Sequence, residues 1–391
     1  MAIRLRALPA AEAVAFFRRK FPLRSFDFRD VEAEEHAVAF TMAKAMQLDV
    51  LRTVQEELDR QLREGPDLRA FRANLEPRLR ALGWWGRRKR VDPLTGEERT
   101  VTLGTPRRLE TIFRTNVRTA YAAGSWERQR RLAERAPWLL YDAVLDSRTR
   151  PKHREWDGTV LRWDDPWWGT HYPPNGWNCR CSVIQLDDAD LRERGLSPGV
   201  APRGLVRRWV NPRTGRVREV PEGVDPAWAY HVGRAAERQP LEVLGDRVER
   251  LPEALARMAV EDILRSRIFE DFSAGRLAGW LPVAVLPQDL REALGVRTRT
   301  VRMSRETLEK QGRRHPDLVR SNYLQIQELL DRAPVWKEWG TNLVAIGQQN
   351  ERLWQVVVKG AADGTEVILT TFHRANPKNI RRARRRGVKV R

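Results

Sequence analysis

Within residues 30–64 apolar side chains fall at spacings of four, with Met46, Val50, Val54, Leu58 and Leu62 in one row. That spacing places them on one helical face and predicts a long amphipathic helix over 30–64, ended by Gly65-Pro66. Asp67 is positioned to cap a second helix, in which Leu68, Phe71, Leu75, Leu79 and Leu82 recur at threes and fours. Pro77 should bend or limit that helix, and Gly83 closes it. The segment 87–104 is polar, charged and turn-rich, which predicts a hairpin or an inserted loop. Thr105-Pro106 starts a third helix, because threonine caps and proline fits the first turn. Phe113, Val117, Ala120 and Gly124 supply its packing stripe, to about residue 134.

The pattern then changes from helical to extended. Residues 138–145 are dense in apolar side chains and read as a buried strand. An irregular aromatic stretch follows, and 181–186 reads as the returning strand. Residues 196–240 are rich in Gly, Pro and Arg, with a hairpin turn at 209–215. Helix is expected in 247–271 and the main domain boundary within 230–275. Beyond it, a helical pattern at 316–332 precedes strand-like runs at 343–346, 353–358 and 366–372. Asn350 and Asp363-Gly364 mark the turns, which predicts an antiparallel meander. The fold class expected is multidomain α+β. Its parts are an N-terminal helical region (1–104), a small Trp-rich, β-containing core (105–195), a linker with hairpin and helix (196–274), and a C-terminal helix-plus-meander domain (275–391).

Charge adds a partner class. The 391 residues carry 72 Lys+Arg against 52 Asp+Glu, a net +20, with Arg far ahead of Lys. Such a balance points to a strongly negative partner, DNA or RNA first, and the planar arginine fork suits phosphate. An Arg-rich, Lys-poor chain is also what a GC-rich genome produces. The first residues are broken by Arg and Pro and contain no signal-peptide core, and no apolar run is long enough to cross a bilayer. Synthesis in the cytoplasm and no membrane-spanning segment are therefore expected. Only Cys179 and Cys181 are present, which excludes a disulfide scaffold and leaves reduced thiols or metal ligands.

The stretch 146–181 reads DSRTRPKHREWDGTVLRWDDPWWGTHYPPNGWNCRC, and six tryptophans lie from Trp138 to Trp177. Packed indoles and Pro173-Pro174 can build a rigid small core where regular elements are short. His153, His171, Cys179 and Cys181 are the metal-capable side chains, with Asp146 placed to complete a set. Thiolate and imidazole suit a structural zinc, although Cys-x-Cys with distant histidines is not a standard zinc spacing. The other reading is that His153 hydrogen-bonds an acid and the cysteines pack as small apolar groups.

These motifs, in order, resemble the Mu F-like phage head-morphogenesis proteins: D-x-R-T-x-P-x-H, W-x-G, D-x-P-W-W and P-P-N-G-W-N-C-R-C. Upstream 35–44, 83–86 and 112–124, and downstream 223–230, match the same family, so the resemblance covers about 25–235. It implies a minor head (capsid) protein, a virion component near the portal that contacts portal and other head proteins and is made in the bacterial host cytoplasm. Family members commonly carry Pro-Pro-x-His-x-x-Cys-Arg-Cys, whereas this chain has Gly176 at the histidine position. That departure favours a Trp- and Pro-packed structural knot over a metal centre. The arginines of 107–131 (Arg107, Arg108, Arg114, Arg118, Arg128, Arg130 and Arg131) would face the portal or the genome, or form a solvated face.

The C-terminal residues from about 280 resemble phage nucleases of the barnase–EndoU–colicin–RelE-like superfamily. The residues that carry this are V-x-M-S-x-x-T-L-x-K (301–310), R-H-P-x-L (314–318), Tyr323, 354–359 and T-T-F-H-R (370–374). The resemblance implies a metal-independent ribonuclease with a toxin-like role. Such a reaction needs a base, an acid and cations around the phosphorane. His315 and His373 fit the acid and base, Lys310, Arg314 and Arg374 the phosphate, and Ser304 and Thr371 the hydrogen-bond donors. Arg374, Lys378, Arg381, Arg382, Arg384 and Arg385 in the basic tail would bind nucleic acid. The residues alone equally allow His315-Pro316 to start a helix and His373 to end a strand. In that case the chain is a basic nucleic-acid-binding adaptor with a catalytically inert C-terminal domain.

Overall fold

The computed structural model describes residues 10–338 and 340–391. Residues 1–9, part of the expected helical region and of the leader reading, lie outside the described residues. The described chain is α+β and divides into two units at Arg238/Gln239. The stretch 196–274 is therefore split between the two units.

In the first unit the helix expected over 30–64 begins only at Leu48 and runs Leu48–Glu64. The reason lies in the carboxylates ahead of it. Asp30 accepts from the backbone N–H groups of Phe26 (2.9 Å) and Asp27 (2.8 Å), and Glu35 accepts from that of Glu32 (3.1 Å). These bonds favour two short 3-10 turns, Phe28–Asp30 and Ala33–Ala37, over a continuous helix. Ala39–Phe40 then pairs in parallel with Phe21–Pro22. From Leu48 the expected face is buried, with Val50, Val54, Leu58 and Leu62 at the core and Gly65 capping at φ 104°. Asp67 caps Leu68–Ala81 by accepting from Arg69 and Ala70 N–H groups, and Pro77 sits inside this helix without ending it.

Thr105 caps the helix Pro106–Leu132, whose packing stripe meets the helix Ala11–Arg18. Gly124 makes that approach possible, since a Cβ there would lie 2.8 Å from Ala13 N. Trp138–Asp142 is the centre of a three-stranded antiparallel sheet between Val160–Arg162 and Ser182–Leu186. The strand stops at Asp142 instead of running to Leu145, and Val144 and Leu145 are exposed. The stretch expected to be irregular contains the short helices Pro151–Glu155 and Trp168–His171. Both predicted hairpins form, Arg87–Val91 with Glu98–Thr102 and Val206–Val210 with Val217–Pro221. Arg213, at the second hairpin's turn, reaches the first through Asp92 (3.0 Å) and the 3-10 turn through Asp30 (2.7 Å).

In the second unit the helix expected in 247–271 is three helices: Pro240–Arg250, Glu253–Arg265 and Arg267–Ser273. Pro252 has no N–H to continue the first, and Ser266 caps the third by accepting from Ile268 N–H (3.3 Å). The predicted meander exists as Asn342–Gln349, Arg352–Gly360 and Val367–Arg374. It is part of a seven-stranded sheet whose other strands are Leu281–Val285, Thr300–Met303, Val335–Glu338 and Gly387–Lys389. All neighbours are antiparallel except Thr300–Met303 with Val367–Arg374. The helical pattern of 316–332 forms a 3-10 turn, Arg320–Leu324, and the helix Gln325–Arg332. The basic tail is folded: the helix Pro377–Arg386 packs Ile380 and Ala383 on Trp336, Val344 and Ile346 before the last strand.

Candidate functional site

The aromatic residues of 138–177 form one packed body. Trp156 meets Tyr141, Trp167 and His171 at ring-centroid distances of 5.7, 5.8 and 4.8 Å. Trp168 is fully buried and donates its indole N–H to the Arg162 carbonyl (3.0 Å). Downstream residues complete the body: Tyr172 stacks on His231 (4.2 Å), which also meets Trp126 (4.2 Å) and accepts from Gly233 N–H (3.1 Å). His171 stacks on Trp167 (4.3 Å, 9°) and bonds the Trp167 carbonyl through Nδ1 (3.0 Å), so it is packed apart from the cysteines. Burial pushes the His171 imidazole down to about 4 and the His231 imidazole down to about 3.

Three of the five candidate ligands converge. His153 Nδ1 lies 3.7 Å from Cys179 Sγ and 3.5 Å from Cys181 Sγ, and the three ligand atoms all fall within 4.8 Å of one another. His153 comes from the helix Pro151–Glu155, and the cysteines immediately precede the strand Ser182–Leu186. Asn178, at φ 60°, turns the chain ahead of them. The thiol pair gives up its first proton readily at Cys179, chiefly because Cys181 donates to it, with His153 adding to the effect. The second proton is held on Cys181 by the Cys179 thiolate and by burial.

Asp146 is not part of this cluster. It binds the Arg180 guanidinium (2.6 Å from Nη1 to Oδ2), which holds its carboxyl well below the usual range. Asp225 was not singled out as a site residue, yet it accepts from Arg150 (2.9 Å) and from Trp177 N–H (3.0 Å). The 223–230 motif was the signal that it mattered. Six of the seven arginines of 107–131 are engaged within the unit. Arg108 binds the Thr102 carbonyl and Arg118 the Cys179 carbonyl, while Arg114, Arg128, Arg130 and Arg131 pair with Glu110, Glu12, Glu237 and Glu12. The expected open basic face on this helix is therefore largely taken up by internal contacts.

In the second unit His315, at the end of the helix Arg305–Arg314, stacks on His373 of the strand Val367–Arg374 (4.6 Å, 12°). Burial and the facing His373 lower the His315 imidazole. Arg374 pairs with Asp317 (3.0 Å), and Arg314 immediately precedes His315 in the chain. Thr371 is two residues before His373 on the same strand and faces the same side. Ser304 is spent on capping its helix, accepting from Thr307 N–H (3.2 Å) and donating to Thr307 Oγ1 (3.1 Å). Lys310 is exposed on that helix with no contact to the histidines among the described residues. Lys378, Arg381, Arg382, Arg384 and Arg385 are exposed on Pro377–Arg386, and among the described residues none pairs with an acid.

Residues 52–184 match the family described as Phage Mu protein F like protein. The chain is 39% identical over 277 residues to protein F of Escherichia phage Mu, named as a candidate capsid assembly protein; the match covers 66% of this chain and 62% of that one. It is 45% identical over 161 residues to the Mu-like prophage FluMu F protein of Haemophilus influenzae, covering 41% of this chain and 38% of that one. The chain thus spans less than two thirds of either relative. No solved structure matches it.

Proposed function

Starting from the match of residues 52–184 to the Mu F-like phage proteins, we propose that this protein is a minor component of a phage head, positioned near the portal and needed for head assembly. The observation that supports this reading is the continuous aromatic body from Trp126 to His231, which lies over and beyond the matched segment. Such a buried body makes the unit rigid and brings no requirement for chemistry of its own. Partners would be the portal and other head proteins. Deleting the gene from the phage or prophage that encodes it should abolish filled heads, and supplying the chain in trans should restore them. Normal head yield from the deletion would refute the reading.

The His315–His373 stack favours a second reading of the C-terminal unit, as a metal-independent ribonuclease. Two imidazoles in contact, one with a lowered pKa, provide a base and an acid near neutrality, and Arg314 and Arg374 provide cations. The basic helix Pro377–Arg386 offers a face for nucleic acid. Lys310 and Ser304 have no supporting geometry in this reading. The full chain should cleave RNA in the presence of a chelator, and His315→Ala and His373→Ala should each lower the rate about 10²-fold or more. RNA that is bound but left intact, equally by wild type and both variants, would identify the unit as an inert basic adaptor.

A further inference from the structure

We infer that His153, Cys179 and Cys181 bind one zinc-class cation, with the fourth coordination position open to an arginine-lined cavity. The first observation is distance. Zinc–sulfur and zinc–nitrogen bonds set at the tetrahedral angle require a sulfur-to-nitrogen edge of about 3.5–3.6 Å. The two edges here are 3.7 and 3.5 Å. The three ligand atoms come from a helix and a strand start that are 26 residues apart in sequence, so chain proximity does not impose this triangle.

The second observation is hydrogen-bond valence. His153 Nε2 lies 3.0 Å from the Gly223 carbonyl, which can only accept, so Nε2 carries the proton. Neutral imidazole then leaves Nδ1 with one lone pair, and that lone pair faces two sulfur atoms at once. A cation placed there would be coordinated by that lone pair and by both sulfur atoms together. A histidine ligand whose other nitrogen is fixed by a backbone carbonyl has the second contact usual for metal-bound imidazole. On binding, sulfur–metal bonds form at both cysteines, and the remaining thiol protons pass to the buffer.

The third observation is the surroundings. The triangle borders a cavity of about 340 Å³ whose wall includes Arg107, Arg114, Arg148, Arg150 and Arg180. The residue whose Cβ would intrude near it is Gly176: a side chain there would collide with the Arg150 guanidinium (2.0 Å) and the Asp225 carboxylate (2.4 Å). Gly176 therefore supplies no fourth ligand, and Asp146 is held by Arg180. The open position would hold water or an anion drawn in by the arginines, such as a carboxylate.

The test uses the full chain purified in reducing buffer. One equivalent of zinc should remain after desalting, and zinc should protect both thiols from a thiol-specific reagent. Cobalt substitution should give thiolate charge-transfer and tetrahedral d–d bands, and azide should shift those bands by entering the open position. Cys179→Ser, Cys181→Ser and His153→Ala should each lose the metal, while Asp146→Asn should keep one equivalent. Because a ligand variant can fail to fold, the wild-type thiol protection and the cobalt spectrum are read independently of the variants. Equal thiol reactivity with and without zinc, or loss of metal in Asp146→Asn matching that in the cysteine variants, would overturn the assignment. Cobalt bands unmoved by azide would overturn the open position.

Discussion

Replacing Arg213 with methionine isolates one buried electrostatic contact that ties three separate parts of the first unit. The Arg213 side chain is 9% exposed, and its partners Asp30 and Asp92 are 0% and 1% exposed. Burial alone pushes the Asp92 carboxyl up, and the bonds from Arg213 overcome that and hold it below its ordinary value. Arg213→Met keeps the apolar stem but removes the guanidinium that binds both buried carboxylates. Asp30 retains its backbone donors at Phe26 and Asp27, and Asp92 retains Leu94 N–H, so the loss is the missing charge and not every hydrogen bond. Removing one partner of a buried ion pair costs about 3–5 kcal/mol. For a unit of this size that is a fall of about 6–20 °C in Tm.

The assay is denaturant unfolding followed by tryptophan fluorescence at several pH values. In the wild type Asp92 has a depressed folded pKa, so its contribution is present above the unfolded value of 3.8 and is lost as pH falls through the lower folded value. In the variant burial is opposed only by the Leu94 N–H bond and the Arg99 charge, so the folded pKa of Asp92 rises above its wild-type value and the folded variant takes up the proton before the folded wild type does. The difference between wild type and variant should therefore shrink as pH falls from neutral toward the carboxylate range. Arg162→Met, which loses the exposed pair with Asp164, should cost less than about 0.5 kcal/mol. A cost for Arg213→Met below about 1 kcal/mol with no pH dependence would refute the reasoning, since such values belong to solvent-screened pairs.

Further outcomes follow from the aromatic body. In Gly233→Ala the new Cβ would lie 2.2 Å from Trp126 Cδ1, so the indole must shift; the expected cost is about 1–3 kcal/mol, with a weakened near-UV circular dichroism signal, and an unchanged spectrum and Tm would contradict the packing. His171 and His231 have folded pKa values depressed from 6.5 to about 4 and about 3, so their contribution is complete above 6.5. Below that, the unfolded state takes protons that the folded state refuses, and stability should decline from about pH 6.5 to about pH 3; a flat stability profile across that window would show that neither ring is held neutral.

Local chemistry was legible where one residue decides the outcome. Asp67 and Thr105 cap the helices they were expected to cap, and the apolar row from Val50 to Leu62 is buried. The region ahead of Leu48 was misread because Asp30 and Glu35 satisfy nearby backbone N–H groups and so compete with the helix, which periodicity does not register. In the second unit the three meander strands alternate and were visible. Leu281–Val285 is buried at every position and shows no alternation, and Gly387–Lys389 is short, polar and mostly exposed, so only tertiary pairing reveals it. At the site, His153, Cys179 and Cys181, named from their ligand chemistry, lie within 4.8 Å of one another. Asp146 was misplaced because Arg180, between the two cysteines, captures its carboxylate. His315 and His373 meet because a helix end is set against a strand end, a relation that no spacing encodes.

The most direct test of the proposed role is quantitative mass spectrometry of heads purified from the phage or prophage encoding this chain. The protein is expected in intact heads at a few copies against the major capsid protein, and particles made without it are expected to be empty or missing. Its absence from purified heads, together with normal head yield in the deletion strain, would contradict the account.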